Sequence, residues 1–206
     1  MLKTNLYPDK IDFYKYLPQT DCGECGLDSC MEFLEGMKRE DIKAEACPFF
    51  SGNMTYAFTT ALSAEEIMPD TEVIQVPVPA ETGLVEFNMP DKDSPLLISG
   101  NSEITQLALS AILATTVKPF FVLFIDTRGN TVDMAMIYGA FTEDRIKNML
   151  EECQIAEKLN HKEMVIPGFA GPLSEEIERL TGWRVEVGPV CCGELPLYFG
   201  EDWVAP

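Results

Sequence analysis

The 206-residue chain reads as an α/β protein in which a small helical domain (1–55) precedes a three-layer, parallel-sheet domain (95–206). Three observations predict this. Short apolar strands alternate with amphipathic helices after residue 95. Four cysteines stand at C-x2-C-x4-C-x16-C spacing near the N-terminus, and proline-punctuated residues 56–94 separate the two parts.

Taken in order, Asp9 is suited to cap a short helix over 10–16, with Ile11 and Tyr14 on its buried face. Cys22, Cys25, Cys30 and Cys47 then form a ligand set, because a cubane cluster needs four thiolates converging from a short loop and one return segment. Gly23 and Gly26 let that loop turn tightly. Asp28 is expected to cap a helix running to about residue 38, whose Phe33, Leu34 and Met37 shield the cluster. Structural zinc also takes four cysteines, but usually from two paired knuckles, whereas only the first pair is close here. A [4Fe-4S] cluster is the expectation.

Residues 56–94 read as a linker with a possible strand pair, strand-like alternation being confined to 72–78. Beyond it, 96–98 is a strand. A helix follows with Ile104, Leu107, Ala108, Ala111 and Ile112 in its stripe. The unbroken apolar run 120–125 is a strand covered on both faces. Residues 126–130 are a turn, and 132–137 are expected to form another strand. Thr142 caps a helix burying Ile146, Met149, Leu150 and Cys153. Residues 164–166 form a strand, Ser174 caps a helix that stops at Gly182, and 183–187 form the last strand. Ligands are expected at the carboxyl ends of such strands.

Composition excludes several classes. With 34 acidic against 15 basic residues the net charge is −19, which repels phosphate backbones and anionic headgroups, so neither nucleic acid nor membrane is an expected partner. No apolar run is long enough for a span and the N-terminus lacks a signal-peptide pattern, pointing to a cytoplasmic protein. Seven cysteines, four of them in a cluster pattern, suit a reducing, anaerobic interior better than a disulfide framework. No glycine-rich nucleotide loop is present.

The segment 16–26 (Tyr-Leu-Pro-Gln-Thr-Asp-Cys-Gly-Glu-Cys-Gly), with Cys30 and Cys47-Pro48, resembles the four-cysteine iron-sulfur domain of the corrinoid iron-sulfur protein large subunit of the acetyl-CoA pathway. Segments 99–105, 126–132 with 139–142, 161–168, and 182–189 with 195–196 resemble the corrinoid-binding domain of the same family, in order. The family's intervening barrel domain has no counterpart here, since about 40 residues cannot build one. The resemblance implies two cofactors, a [4Fe-4S] cluster and a cobalamin-type corrinoid. It implies a carrier that shuttles methyl groups or low-potential electrons between partners, a methyltransferase or methyl-donor protein and a reductant or reductive activator, with the cluster reducing the cobalt. The resemblance leaves enzyme status open and fits a cofactor-carrying protein of a methyltransferase system better than a stand-alone enzyme. The alternatives are an electron-transfer module without corrinoid, or an assembly protein of that pathway.

By the same resemblance the corrinoid contacts fall on Ser99, Asn101 and Thr105, on Thr131, Asp133, Met134, Ala135 and Gly139, on Gly168, Phe169 and Ala170, and on Gly188, Pro189 and Cys191. The D-x-H-x-x-G motif of histidine-ligated cobalamin modules is absent, and the single histidine, His161, reads as a surface or hinge residue. Residues 133–140 depart from the family pattern. Met134 falls where a family side chain approaches cobalt, and its thioether either nears the metal or packs against the ring. Asp133 either bonds a corrin amide or caps a turn. Cys191 and Cys192 are extra ligands, a redox pair, or small residues lining the pocket.

Overall fold

The computed structural model describes residues 4–70 and 76–206. Two 3-10 turns, Pro8–Lys10 and Phe13–Tyr16, occupy the stretch expected as one helix, and Asp12 rather than Asp9 caps the second by accepting from Lys15 N. Pro8 has no N–H to continue a helix through it. Helix α1 (Cys30–Lys38) starts one residue later than expected. Its cap is Ser29, which accepts from Glu32 N, while Glu32 reaches back to Asp28 N. Phe33, Leu34 and Met37 are buried as the spacing predicts.

Helix α2 (Gly52–Leu62), capped by Ser51, and the one-turn α3 (Ala64–Ile67) follow. The first part of the expected linker is thus helix, and Ala57, Phe58 and Ala61 on it are fully buried. Within 72–78, residues 72–75 lie outside the described residues, and 76–78 carry no strand. The strand of this region is β1 (Gly83–Phe87), which pairs antiparallel with β3 (Phe120–Ile125).

Between them in sequence come β2 (Leu96–Gly100) and α4 (Glu103–Leu113). After β3 come α5 (Val132–Ile137), α6 (Glu143–Glu152), α7 (Ile155–Lys158), β4 (Glu163–Ile166), α8 (Ser174–Thr181), β5 (Arg184–Val187) and α9 (Leu195–Phe199). The sheet order is β1-β3-β2-β4-β5, with every pair parallel except β1-β3. The antiparallel strand covers an edge that β3 would otherwise expose.

Period-two alternation divides the strands between two cores. Leu97, Phe120, Val122 and Phe124 face one layer, where they meet α4, α2, α1 and the C-terminal Trp203. Leu96, Ile98, Phe121, Leu123 and Ile125 face the other, with α5, α6 and α8. The expected three-layer α/β arrangement is therefore present. The first core also takes in Ile11, Leu17 and Cys47, so the four-cysteine part is packed into the sheet's own helical layer.

Three local expectations are corrected. Residues 132–137 form a helix: β3 already has β1 and β2 as neighbours, leaving no edge for a further strand beside it, and Ala and Met favour helix. Leu107 is 51% exposed, because the stripe of α4 runs Ile104, Ala108, Leu109, Ile112, Leu113. Ser174 is the first residue of α8 and makes no side-chain cap there. The Thr142 cap accepts from Arg145 N, and Gly182 ends α8 at φ 70°, both as expected.

Candidate functional site

The segment from Pro18 to Phe49 folds around one small cavity, and Cys22, Cys25, Cys30 and Cys47 all line it. The loop reaches this shape through left-handed residues: Gly23 at φ 75° and Gly26 at φ 86° turn the chain directly after the first and second cysteines. Gly26 N donates to Gly23 O at 2.9 Å, and Asp21 Oδ1 accepts from Cys30 N at 2.7 Å, tying the loop to the start of α1. Cys22 is exposed and Cys47 buried, with Phe33 and Phe49 walling the cavity. All seven cysteines are free.

Burial, and then the neighbouring Cys25, Cys30 and Cys22, push the Cys47 thiol up. Cysteine binds metal as the thiolate, so a cation in this cavity would favour the charged form that the protein alone disfavours at Cys47. Among the described residues no three metal-ligating side chains meet at one point. Thiols arranged around a cavity suit a cluster in which each iron takes one thiolate, whereas tetrahedral zinc draws all four sulfurs to about 2.3 Å of a single ion.

A second cavity, of about 530 Å³ and open to solvent, lies at the carboxyl ends of the parallel strands. Its walls are Ser99 at the end of β2, residues 129–131 between β3 and α5, residues 132–134 in the first turn of α5, residues 165–167 at the end of β4, and residues 188–190 after β5. The floor is apolar, from Leu97, Ala108, Leu109 and Leu195, while Ser99, Thr105, Asn130, Thr131 and Asp133 supply polar groups. That volume and mixture are those of a cofactor site. Residues 4–7 close one side. There Tyr7 sits at φ 61°, stacks edge-on against Phe169 at 5.0 Å, and donates its hydroxyl to Asp133 Oδ2 at 2.6 Å.

Of the contacts expected from the sequence, Ser99, Thr105, Thr131, Asp133, Met134, Phe169, Gly188 and Pro189 line this cavity. The others lie off its surface, each for a structural reason. Asn101 is buried and fully engaged: Oδ1 accepts from Thr127 N, Thr127 Oγ1 and Gly129 N, and Nδ2 donates to Ala80 O. It therefore shapes the 126–130 turn. Gly129 must be glycine there, since φ is 74° and a Cβ would come within 2.4 Å of Pro79 N. Ala135 and Ala170 are core residues with no exposure. Gly139 is exposed beyond the end of α5, and Gly168 is packed against Val190.

Cys191 is buried in the first core, and its neighbour Cys192 lines the cavity instead. The two adjacent sulfurs interact, which lowers the Cys191 thiol and, with burial, raises that of Cys192, and Cys192 Sγ donates toward Met68 Sδ at 3.6 Å. Sequence reasoning also missed Tyr138, Pro167 and Val190, which border residues it did choose, and Tyr7, for which remoteness in the chain left no signal. His161 accepts from Glu163 N through Nδ1, and its Nε2 lies 3.1 Å from Ser94 O, far from either cavity's lining.

Fold and site together define a two-site α/β protein: a cofactor-sized cavity at the strand ends, joined on one chain to a four-cysteine metal module. Comparison with known proteins makes the assignment. Residues 58–198 match the family model described as CO dehydrogenase/acetyl-CoA synthase delta subunit, and residues 17–49 match one described as a putative Fe-S cluster. The chain belongs to that CO dehydrogenase/acetyl-CoA synthase subunit family and carries its iron-sulfur segment at the N-terminal end. It is 35% identical over 129 residues to the acetyl-CoA decarbonylase/synthase complex subunit gamma of Archaeoglobus fulgidus, covering 63% of this chain and 27% of the relative. The subunit gamma of Methanopyrus kandleri is 33% identical over 126 residues, 61% of this chain and 27% of the relative. The corrinoid/iron-sulfur protein large subunit of Moorella thermoacetica is 30% identical over 115 residues, 56% of this chain and 26% of the relative. The chain thus spans about a quarter of the length of these relatives. Among the described residues no helix is long and apolar enough to cross a membrane.

Proposed function

We propose that this chain is a carrier of two cofactors, a [4Fe-4S] cluster on Cys22, Cys25, Cys30 and Cys47 and a corrinoid in the cavity at the strand ends. In this reading it passes methyl groups or low-potential electrons between partner proteins. The observation that supports it best is the pairing on one chain of an open 530 Å³ cavity and a ring of four thiols. When bound, the corrinoid supplies a cobalt that accepts and donates a methyl group, and that needs an electron to return to its nucleophilic low state.

The chain's own residues divide the remaining work. Ser99, Thr105 and Thr131 would offer hydroxyls to a bound corrinoid, and the apolar floor would keep water out of that part of the site. Asp133 holds Tyr7 in place, and so keeps the side of the cavity closed. Met134, in the first turn of α5, would pack against a bound corrinoid. On the other side, Phe33 and Phe49 screen the cluster from water, while exposed Cys22 leaves one edge open to a reductant.

Because the cavity opens to solvent, a corrinoid held there would be reachable by another chain, a methyltransferase or methyl-donor protein. The acidic surface suits partners with basic docking faces. The test is Cys25→Ala in protein reconstituted under anaerobic conditions with iron, sulfide and cobalamin. The variant should lose the cluster's absorption and paramagnetic signal and keep its cobalamin; loss of both cofactors together would contradict two distinct sites.

A further inference from the structure

Glu194 is the one carboxylate side chain buried among the described residues, at 3% exposure. It lies in the turn that follows cavity-lining Cys192, and Leu195 beside it also lines the cavity. Its partners come from the opposite end of the chain. Lys15 Nζ reaches Oε1 at 2.5 Å, and the Tyr16 hydroxyl donates to the same oxygen at 2.9 Å. Two residues beyond Tyr16, Pro18 is already in the wall of the cysteine cavity. The contacts of Lys15 and Tyr16 with Glu194 thus tie the segment leading into the cysteine cavity to the turn that leads out of the cofactor cavity's wall.

Glu194 is buried while Lys15 is half exposed, so the pair contributes little net stability; what the contacts enforce is one geometry, since displacing Lys15 and Tyr16 leaves the carboxylate buried alone. Packing around it repeats the constraint. A Cβ on Gly193 would meet Ala64 Cβ at 2.5 Å and Ile11 Cδ1 at 3.4 Å, so the turn is pressed against both α3 and the N-terminal segment. Ile11 and Leu17 also share a core with the β2 and β3 side chains.

From this we infer that Glu194, with Lys15 and Tyr16, is a positioning clamp that holds the cluster at one fixed distance from the cavity. Electrons then pass within the folded chain, and the cluster segment does not swing out to collect and deliver them. The inference rests on the cluster half of the proposed function, and its test is designed to stand without the corrinoid half.

In protein loaded with its cluster alone, exposed Asn148 on α6 is replaced by p-acetylphenylalanine carrying a nitroxide, which spares the cysteines. Pulsed dipolar spectroscopy then reads the distance between the reduced cluster and the label. The wild-type sequence should give one narrow distribution, and Glu194→Ala and Tyr16→Phe broader ones with the cluster's own signal unchanged. Glu194→Gln, which can still accept from Tyr16, should restore most of the narrowing. A broad distribution in the wild type, or identical ones in all variants, overturns the clamp.

With cobalamin bound, single-turnover reduction of cobalt by the photoreduced cluster should slow at least tenfold in Glu194→Ala. An unchanged rate counts against the clamp. Failure of the wild type to bind cobalamin overturns the corrinoid reading and leaves the distance result standing.

Discussion

The Tyr7 hydroxyl donates a 2.6 Å hydrogen bond to Asp133 Oδ2, joining residues 126 positions apart across the side of the cavity. Burial first, and then that bond to a carboxylate, raise the Tyr7 hydroxyl to about 12. A folded-state value above the unfolded one of about 10 means a contribution fully present below pH 10 and lost as pH rises through 12. A spectroscopic titration of the phenolates should show this tyrosine ionising late, together with Tyr16 and Tyr198, which burial and Glu194 or Glu186 also raise. Tyr7→Phe should remove one late step. An unchanged curve would mean that the bond does not form.

Cys22 is exposed and lines the cysteine cavity. Cys22→Ala should therefore abolish cluster assembly while shifting the stability of the iron-free protein by no more than about 0.5 kcal/mol, as for other exposed positions. Iron content and denaturant unfolding of the apo protein, measured side by side, check both halves.

Phe58 has no exposure, stacks on Phe50 at 4.7 Å, and belongs to the core that joins the four-cysteine part to β2 and β3. Phe58→Ala should cost about 3–5 kcal/mol. Because Trp203 and Trp183 lie in the two opposite cores, tryptophan fluorescence and far-ultraviolet circular dichroism should report a single coincident transition. Two separated transitions would show that the N-terminal part unfolds on its own.

Met134 lines the cavity in the first turn of α5. If its thioether packs against the corrin, Met134→Leu conserves the packing and should leave the visible spectrum of bound cobalamin unchanged, with affinity within about threefold. A spectral shift would assign the thioether as an axial ligand.

Much of this molecule is legible in its sequence wherever one physical pattern dominates. The run at 120–125 could only be a doubly covered strand, Thr142 and Gly182 bound their helices as expected, and the four cysteine spacings mark one cavity. Legibility fails where two patterns compete. Val132-Asp133-Met134-Ala135-Met136-Ile137 is a short, mostly apolar run that suits a strand by length and also buries Val132 and Ala135 at helical spacing, and the crowded neighbourhood of β3 decides between them.

The cavity residues divide in the same way. Loop positions at strand ends were readable, but Asn101 looked like a ligand contact because a buried side chain that braces a turn carries the same residue type. The choice between Cys191 and Cys192 turned on one residue of register. The contacts of Tyr7 and Glu194 depend on tertiary packing over more than a hundred residues, which local periodicity does not encode.

Metal analysis of the protein after anaerobic reconstitution with iron, sulfide and cobalamin tests the two-cofactor account most directly. It should yield about four irons and one cobalt per chain, with cluster and corrinoid absorption both present. Iron without cobalt would contradict it and leave an electron-transfer module whose cavity serves another ligand.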